Sequence, residues 1–226
     1  MSTGHWVQTV RTTRPTPKKR SPGRPEVLDQ QSRRVILLRA AEAAFTERGY
    51  DAATMEQIAQ IAGMSKKTLY QAFQDKHSIF IELITELDIF PDARTEAETS
   101  HDDPETELHL RLCALAQHIL SPRQITLTRL MISQAGRLPD LPASFHAKVM
   151  AKGFTYIFHS TARLAAQSAS LPTERTEALT GVLISVLLGD WHLRTLFGSE
   201  PPSSTEISVR AQEAIRTAFP LSGATP

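Results

Sequence analysis

An all-α fold is predicted by three features of this 226-residue chain. Apolar residues recur at steps of three and four through most of its length, and no stretch alternates apolar and polar residues as a half-buried strand would. Thr54–Gln57 and Ser121–Gln124 have the spacing of capping boxes, in which a hydroxyl and an amide three residues apart satisfy the free amides of a helix start. Hydrophobic residues make up 41% of the chain, enough for one large or two modest packed cores without disulfides.

The first 25 residues hold six basic side chains (Arg11, Arg14, Lys18, Lys19, Arg20 and Arg24) and no acid, spread among Pro, Thr and Ser. A segment of this kind buries too little apolar surface to fold alone, so residues 1–28 are expected to form a disordered basic arm. It reads either as a solubilising tail or as an arm that follows DNA. Pro22-Gly23-Arg24-Pro25 resembles half of an AT-hook, which sets one arginine in an extended backbone suited to the minor groove. Lys18-Lys19-Arg20 would also serve as a nuclear import signal in another cellular context.

A first helix is expected from Gln30, with Val35, Leu38, Ala41 and Phe45 on its buried side, and Gly49 can close it in the left-handed conformation. The capping box at Thr54 starts a second, short helix carrying Ile58, Ala59 and Ala62. Gly63-Met64-Ser65 makes a turn, and Ser65 caps a third helix from Lys66 to Phe73. Two short helices joined by a three-residue turn with glycine form a helix-turn-helix, in which Ala59 permits close approach and Met64 and Leu69 tie the pair to the first helix. The outer face of the third helix offers Lys66, Lys67, Thr68, Tyr70 and Gln71, which suit phosphates and base edges and equally suit the polar face of any small bundle. Charge separates along the chain: residues 1–77 hold 13 basic against 7 acidic side chains, and residues 78–226 hold 12 against 17. The helix-turn-helix thus lies in the basic part.

The stretch from Ile36 to Leu83 resembles the N-terminal domain of the TetR family of bacterial regulators. Ala40-Ala41, Phe45, Gly49-Tyr50, Thr54, Ile58-Ala59, Ala62-Gly63, Ser65, Leu69-Tyr70, Phe73 and Lys76 carry the likeness. The resemblance implies a three-helix DNA-binding domain, a fourth helix leading to a variable helical body, and a homodimer on a palindromic operator in double-stranded DNA. By the same resemblance Thr54 sits at a phosphate, Lys66, Lys67, Thr68 and Gln71 face the major groove, and Tyr70 and Lys76 clamp the backbone. Lys76 would also place its charge beside the free amides of a helix capped by Asp75.

A connecting helix follows through Ile79, Phe80, Leu83, Ile84 and Leu87 until Phe90-Pro91 interrupts it, and residues 92–104 are acidic and poor in apolar residues, loop or helix. Helical patterns resume at Glu107 (Leu108, Leu112, Leu115, Ile119, Leu120), restart at Ser121-Pro122, and cover 142–168, 173–197 and 204–218. Leu130 to Pro139, followed by Phe145, resembles the C-terminal domains of AefR-like members of the TetR family. The expected division is an arm over 1–28, a reading domain over 29–76, a ligand-binding and dimerisation body over 77–220, and a disordered tail over 221–226.

Leu179, Val182, Leu183, Val186 and Leu187, with Ile215 on the last helix, are the candidate dimer interface, a four-helix seam. Met131, Phe154, Phe158, His159 and Trp191 are the candidate pocket for a small apolar or aromatic effector, although each taken singly reads more readily as an ordinary core position or a satisfied histidine. No zinc-binding or phosphate-loop motif is visible, and no catalytic constellation, cofactor or metal is expected. The single Cys113, set between His109 and His118 on spacing that suggests different helix faces, suits a reducing compartment. With no secretory signal or membrane-spanning run visible, a cytoplasmic, nucleoid-associated protein is expected. A ligand-released repressor, a DNA-binding regulator without small-molecule control, and a helical adaptor or enzyme that keeps the fold without binding DNA remain the three readings.

Overall fold

A computed structural model describes residues 29–86, 103–168 and 171–219, and these contain helices and turns but no strand. The expected arm, including Arg24, the stretch 92–102 and the tail over 221–226 lie outside the described residues.

Asp29 starts α1 (Gln30–Ala52) by accepting from the amide of Ser32 at 2.7 Å. The helix buries Leu37, Leu38, Ala41, Ala44 and Phe45, and its backbone leaves helical geometry at Gly49, whose φ of 77° is open to glycine and strained for other residues. Val35, expected on the buried side, is only partly covered; Leu37 takes that place. Both halves of the capping box at Thr54 form, at 3.0 and 3.2 Å, and begin α2 (Met55–Ile61). Gly63, at φ 64°, turns the chain, and the Ser65 hydroxyl accepts from Thr68 N–H to start α3 (Lys66–Ala72). Asp75 then caps α4 (Lys76–Glu86) through the Ser78 amide at 2.7 Å.

The body comprises α5 (Pro104–Ile119), α6 (Pro122–Gln134), α7 (Asp140–Phe145), a π-helical turn (His146–Met150), α8 (Ala151–Ser168), α9 (Thr173–Leu188), α10 (Trp191–Leu196) and α11 (Ser204–Ala218). Three sequence expectations are corrected here. The helix expected over 173–197 is two, because Gly189 at φ 45° ends α9 and redirects the chain. The helix expected from 142 begins at Asp140 and passes through the π-helical turn. At Ser121 only half of the capping box forms: the hydroxyl accepts from Gln124 N–H at 3.2 Å, while Ser121 N–H donates to His118 O, so the Gln124 amide is turned inward.

Two cores result. The first joins α1 to α4 through Phe45, Ile58, Leu69, Phe73, Ile79, Phe80 and Leu83, and takes in Leu127 of α6 and Leu141 of α7. Phe45, Tyr50 and Phe80 meet in it with ring centroids 4.8–5.5 Å apart. The second is a four-helix core of α5, α8, α9 and α11. Beside it the buried Glu107 carboxylate is shared by Arg111, Arg163 and the Ser160 hydroxyl, so its charge is neutralised where water is excluded. Head and body are pinned along α1 by a two-pronged Arg123–Glu42 pair at 2.6 and 3.0 Å and by Arg137–Asp51 at 2.7 Å. Among the described residues, no helix is long and apolar enough to cross a membrane.

Candidate nucleic-acid interface

The second helix of the helix-turn-helix lies over the first core through the fully buried Leu69, which turns the opposite side of α3 outward. On that side Lys67 and Gln71 are exposed and Tyr70 is 52% exposed, and none of the three is tied to another described side chain. Their neighbours are already engaged. Lys66 Nζ donates to Glu56 Oε1 at 2.5 Å, bracing α3 against α2, and this bond holds the Glu56 carboxyl below its usual range. Thr68 Oγ1 lies 2.9 Å from Ser65 Oγ in the cap, and Thr54 Oγ1 accepts from Gln57 N–H yet keeps its own proton to donate.

Lys76 sits differently from its expected place at a phosphate. Its ammonium donates to the carbonyls of Tyr50, Asp51 and Ala53 at 2.7–3.1 Å and lies over the Tyr50 ring, 4.5 Å from its centroid. Three protons meet three carbonyls, so the charge holds the corner between α1 and α2 to the start of α4 instead of standing free. The Tyr50 hydroxyl is correspondingly hard to ionise, first through burial and then through Asp75 and Asp51.

The sequence reading missed Arg33. It lines a cleft with Gln30, Arg34, Thr68, Gln71 and Ala72, where the first turn of α1 meets the outer side of α3. Arg34 is spent on structure: it pairs with Glu82, donates to Ala72 O at 2.8 Å and stacks on Phe73 at 4.4 Å. Arg33 makes no ion pair within the described residues, so the cleft keeps one unspent guanidinium beside Thr68 and Gln71. Helical spacing could have shown that adjacent arginines point in different directions; which of them is consumed by Glu82 and the Ala72 carbonyl depends on how α1 crosses α3 and α4.

The five effector candidates do not converge. Met131 lines a gap between α4, α6 and α7, whereas Phe158 lines a cleft with Ala162, Ala165, Leu171 and Thr176. Phe154 stacks on Phe158 at 6.3 Å, His159 is exposed at the edge of that ring, and Trp191 lies under the Arg210 guanidinium at 3.4 Å. The dimer candidates also divide. Leu183, Leu187 and Ile215 are buried in the monomer's own second core and cannot meet a partner, while Val182 and Val186 are exposed and Leu179 is half-buried. His109 and Cys113, expected on different faces, share one at 3.8 Å, as four-residue spacing on a helix requires. Burial pushes the Cys113 thiol up, away from reactive thiolate. Among the described residues, no group of His, Cys, Asp or Glu could hold a metal ion.

Comparison with known proteins agrees with this geometry. Residues 37–83 match the family described as bacterial regulatory proteins, tetR family, and residues 107–220, just over half of the chain, match the AefR-like transcriptional repressor C-terminal domain. The HTH-type transcriptional activator FasR of Mycolicibacterium smegmatis is 44% identical over 57 residues, 25% of this chain and 26% of that protein. The HTH-type transcriptional repressor Rv1474c of Mycobacterium tuberculosis is 38% identical over 55 residues, 24% of this chain and 29% of that protein. The chain thus spans less than a third of the length of these relatives. Among solved structures, a TetR-family protein from Mesorhizobium loti MAFF303099 superposes with a TM-score of 0.71 at 23% identity, covering 82% of this chain and 94% of its own. The flavonoid-responsive regulator FrrA does so with a TM-score of 0.59 at 21% identity, covering 82% and 94%. A matched N-terminal segment and a C-terminal body matched over just over half of the chain make this chain a member of the TetR family of bacterial transcriptional regulators.

Proposed function

We propose that the chain binds double-stranded DNA as a homodimer, reads a palindromic operator, represses transcription there and is released by a small apolar or aromatic molecule. The observation that carries this reading is the exposed side of α3, where Lys67, Tyr70 and Gln71 stand unspent beside Arg33 while the residues around them are committed to holding α3 in place. Residues 29–76 serve as the reader and residues 77–220 as the sensing and dimerising body, in the cytoplasm at the nucleoid. Thr54 and Tyr70 donate to phosphates, and Lys67, Thr68 and Gln71 approach base edges, with Lys66 alongside through its bond to Glu56. Arg24 adds a minor-groove contact from the arm.

Ligand release draws support from the fold shared with FrrA, a regulator that answers to flavonoids. An effector acts by favouring a dimer whose two α3 helices no longer match successive major grooves about 34 Å apart. FasR is an activator and Rv1474c a repressor, and both match this chain over about a quarter of its length, so that stretch alone does not carry the sign.

The test is selection of bound molecules from a random duplex library at physiological salt, followed by sequencing. An enriched palindrome with a fixed half-site spacing is expected; a bound pool no richer in any sequence than the input would overturn the reading. Removing residues 1–25 is expected to flatten the salt dependence of binding, since fewer counterions are released, and an unchanged slope makes the arm a tail.

A further inference from the structure

Glu56 is the one acidic residue between Asp51 and Asp75, the stretch that holds both helices of the helix-turn-helix. A carboxylate on a surface that approaches phosphates is repelled by them, so its place there asks for a reason. Stability does not supply one. The Glu56 and Lys66 side chains are 58% and 60% exposed, and an ion pair so open to water adds little to folding, while Leu69 in the core and the Ser65 cap already hold α3. The pair is nevertheless closely made, with Lys66 Nζ 2.5 Å from Glu56 Oε1.

Such a pair is a poor ligand for phosphate. Its net charge is zero, and the carboxylate stands beside the ammonium that a phosphate oxygen would approach. A base pair differs, because its major-groove edge sets donors and acceptors side by side. An ammonium has three protons, and Lys66 uses one on Glu56. The two left over match the adjacent O6 and N7 acceptors of guanine, and the second carboxylate oxygen matches the N4 amino group of the cytosine paired with it. On an A·T pair the amino group separates the two acceptors, so one ammonium cannot take both.

We propose that Glu56 and Lys66 act as one unit that reads a G·C base pair in each half-site, Lys66 on the guanine and Glu56 on its cytosine. The inference rests on the regulator reading above and names a base pair that its operator must contain. Glu56 is thereby a specificity-determining residue: it accepts from the cytosine amino group and repels any pair that sets a carbonyl oxygen in its place.

The test is selection from a random duplex library by the full-length parent, by Glu56→Ala and by Lys66→Ala, with the Tm of each measured alongside. The parent half-site is expected to carry one G·C pair favoured about tenfold or more over A·T, and both variants should lower that preference to within about threefold. Preferences at the other positions should stay as in the parent, with Tm within about 2 °C. On synthetic duplexes, inosine in place of that guanine keeps N7 and O6 and should bind within about twofold of the parent site, whereas A·T there should weaken binding about tenfold. Four results would each overturn the proposal and leave the operator reading standing: a tenfold loss with inosine, variants that relax different positions, a preference lost evenly across the half-site, or a parental profile retained in Glu56→Ala. A library with no enriched palindrome overturns both.

Discussion

Tyr70 and Lys76 are both polar residues of the reading head, and their surroundings give them opposite tasks. Tyr70 is half exposed and its hydroxyl is untied among the described residues, so Tyr70→Phe is expected to leave Tm unchanged while weakening operator binding about 2- to 10-fold, one hydrogen bond to phosphate. Titration of the labelled operator checks this, and unchanged affinity removes the role. Lys76, with its protons on three carbonyls, behaves as a staple: Lys76→Met should cost about 1.5–3 kcal/mol of stability by denaturant unfolding. The salt slope of operator binding should then stay as in the parent, whereas loss of a phosphate contact would lower it by about 0.9. Sequence shows the residue types at these positions; it does not show whether a charge is already answered from within.

At the scale of the element, helix starts were more legible than helix interiors. Thr54, Ser65, Asp75 and Ser121 all cap where their spacing indicates, because a cap is decided within four residues. The break at Gly189 was not legible, since glycine inside an apolar run reads equally as a tolerated helical residue; the turn is held from outside by Arg210, which stacks on Trp191 and approaches Asp190 at 3.7 Å. The short α10 that follows carries His192, with Nε2 buried and unpartnered and its pKa pushed down by burial. The unfolded chain therefore binds a proton that the folded chain resists, so stability should fall as pH drops below about 6.5 and level off once the folded imidazole protonates. Thermal unfolding between pH 7.5 and 5.5 should show this slope in the parent and a shallower one in His192→Gln; parallel slopes would discard the assignment.

For the whole molecule, α9 shows two faces with different work. Leu183 and Leu187 close the second core, and Leu183→Ala should cost about 2–5 kcal/mol at any protein concentration. Val182 and Val186 point outward, so Val182→Glu combined with Val186→Glu should leave that stability within about 0.5 kcal/mol in the monomer while sedimentation changes from dimer to monomer. Operator affinity should then fall at least about tenfold, because the two half-sites are no longer bound as one event. A double variant that still sediments as a dimer would move the interface elsewhere, with Phe197, 84% exposed, as the next residue to change.

The helical class, the order of the helices, the turn at Gly63 and the polar face of α3 were determined by the sequence itself, because each depends on residues within about a helical turn of one another. Tertiary structure alone decided that Arg33 and not Arg34 remains free, that Lys76 is consumed by carbonyls 23–26 residues away, that half the apolar residues chosen for a dimer serve the monomer's core, and that the Gln124 amide faces a gap. These outcomes depend on which helices cross and at what angle. A side chain's partners lie across such crossings, and periodicity along one helix specifies which face is apolar without specifying what that face meets.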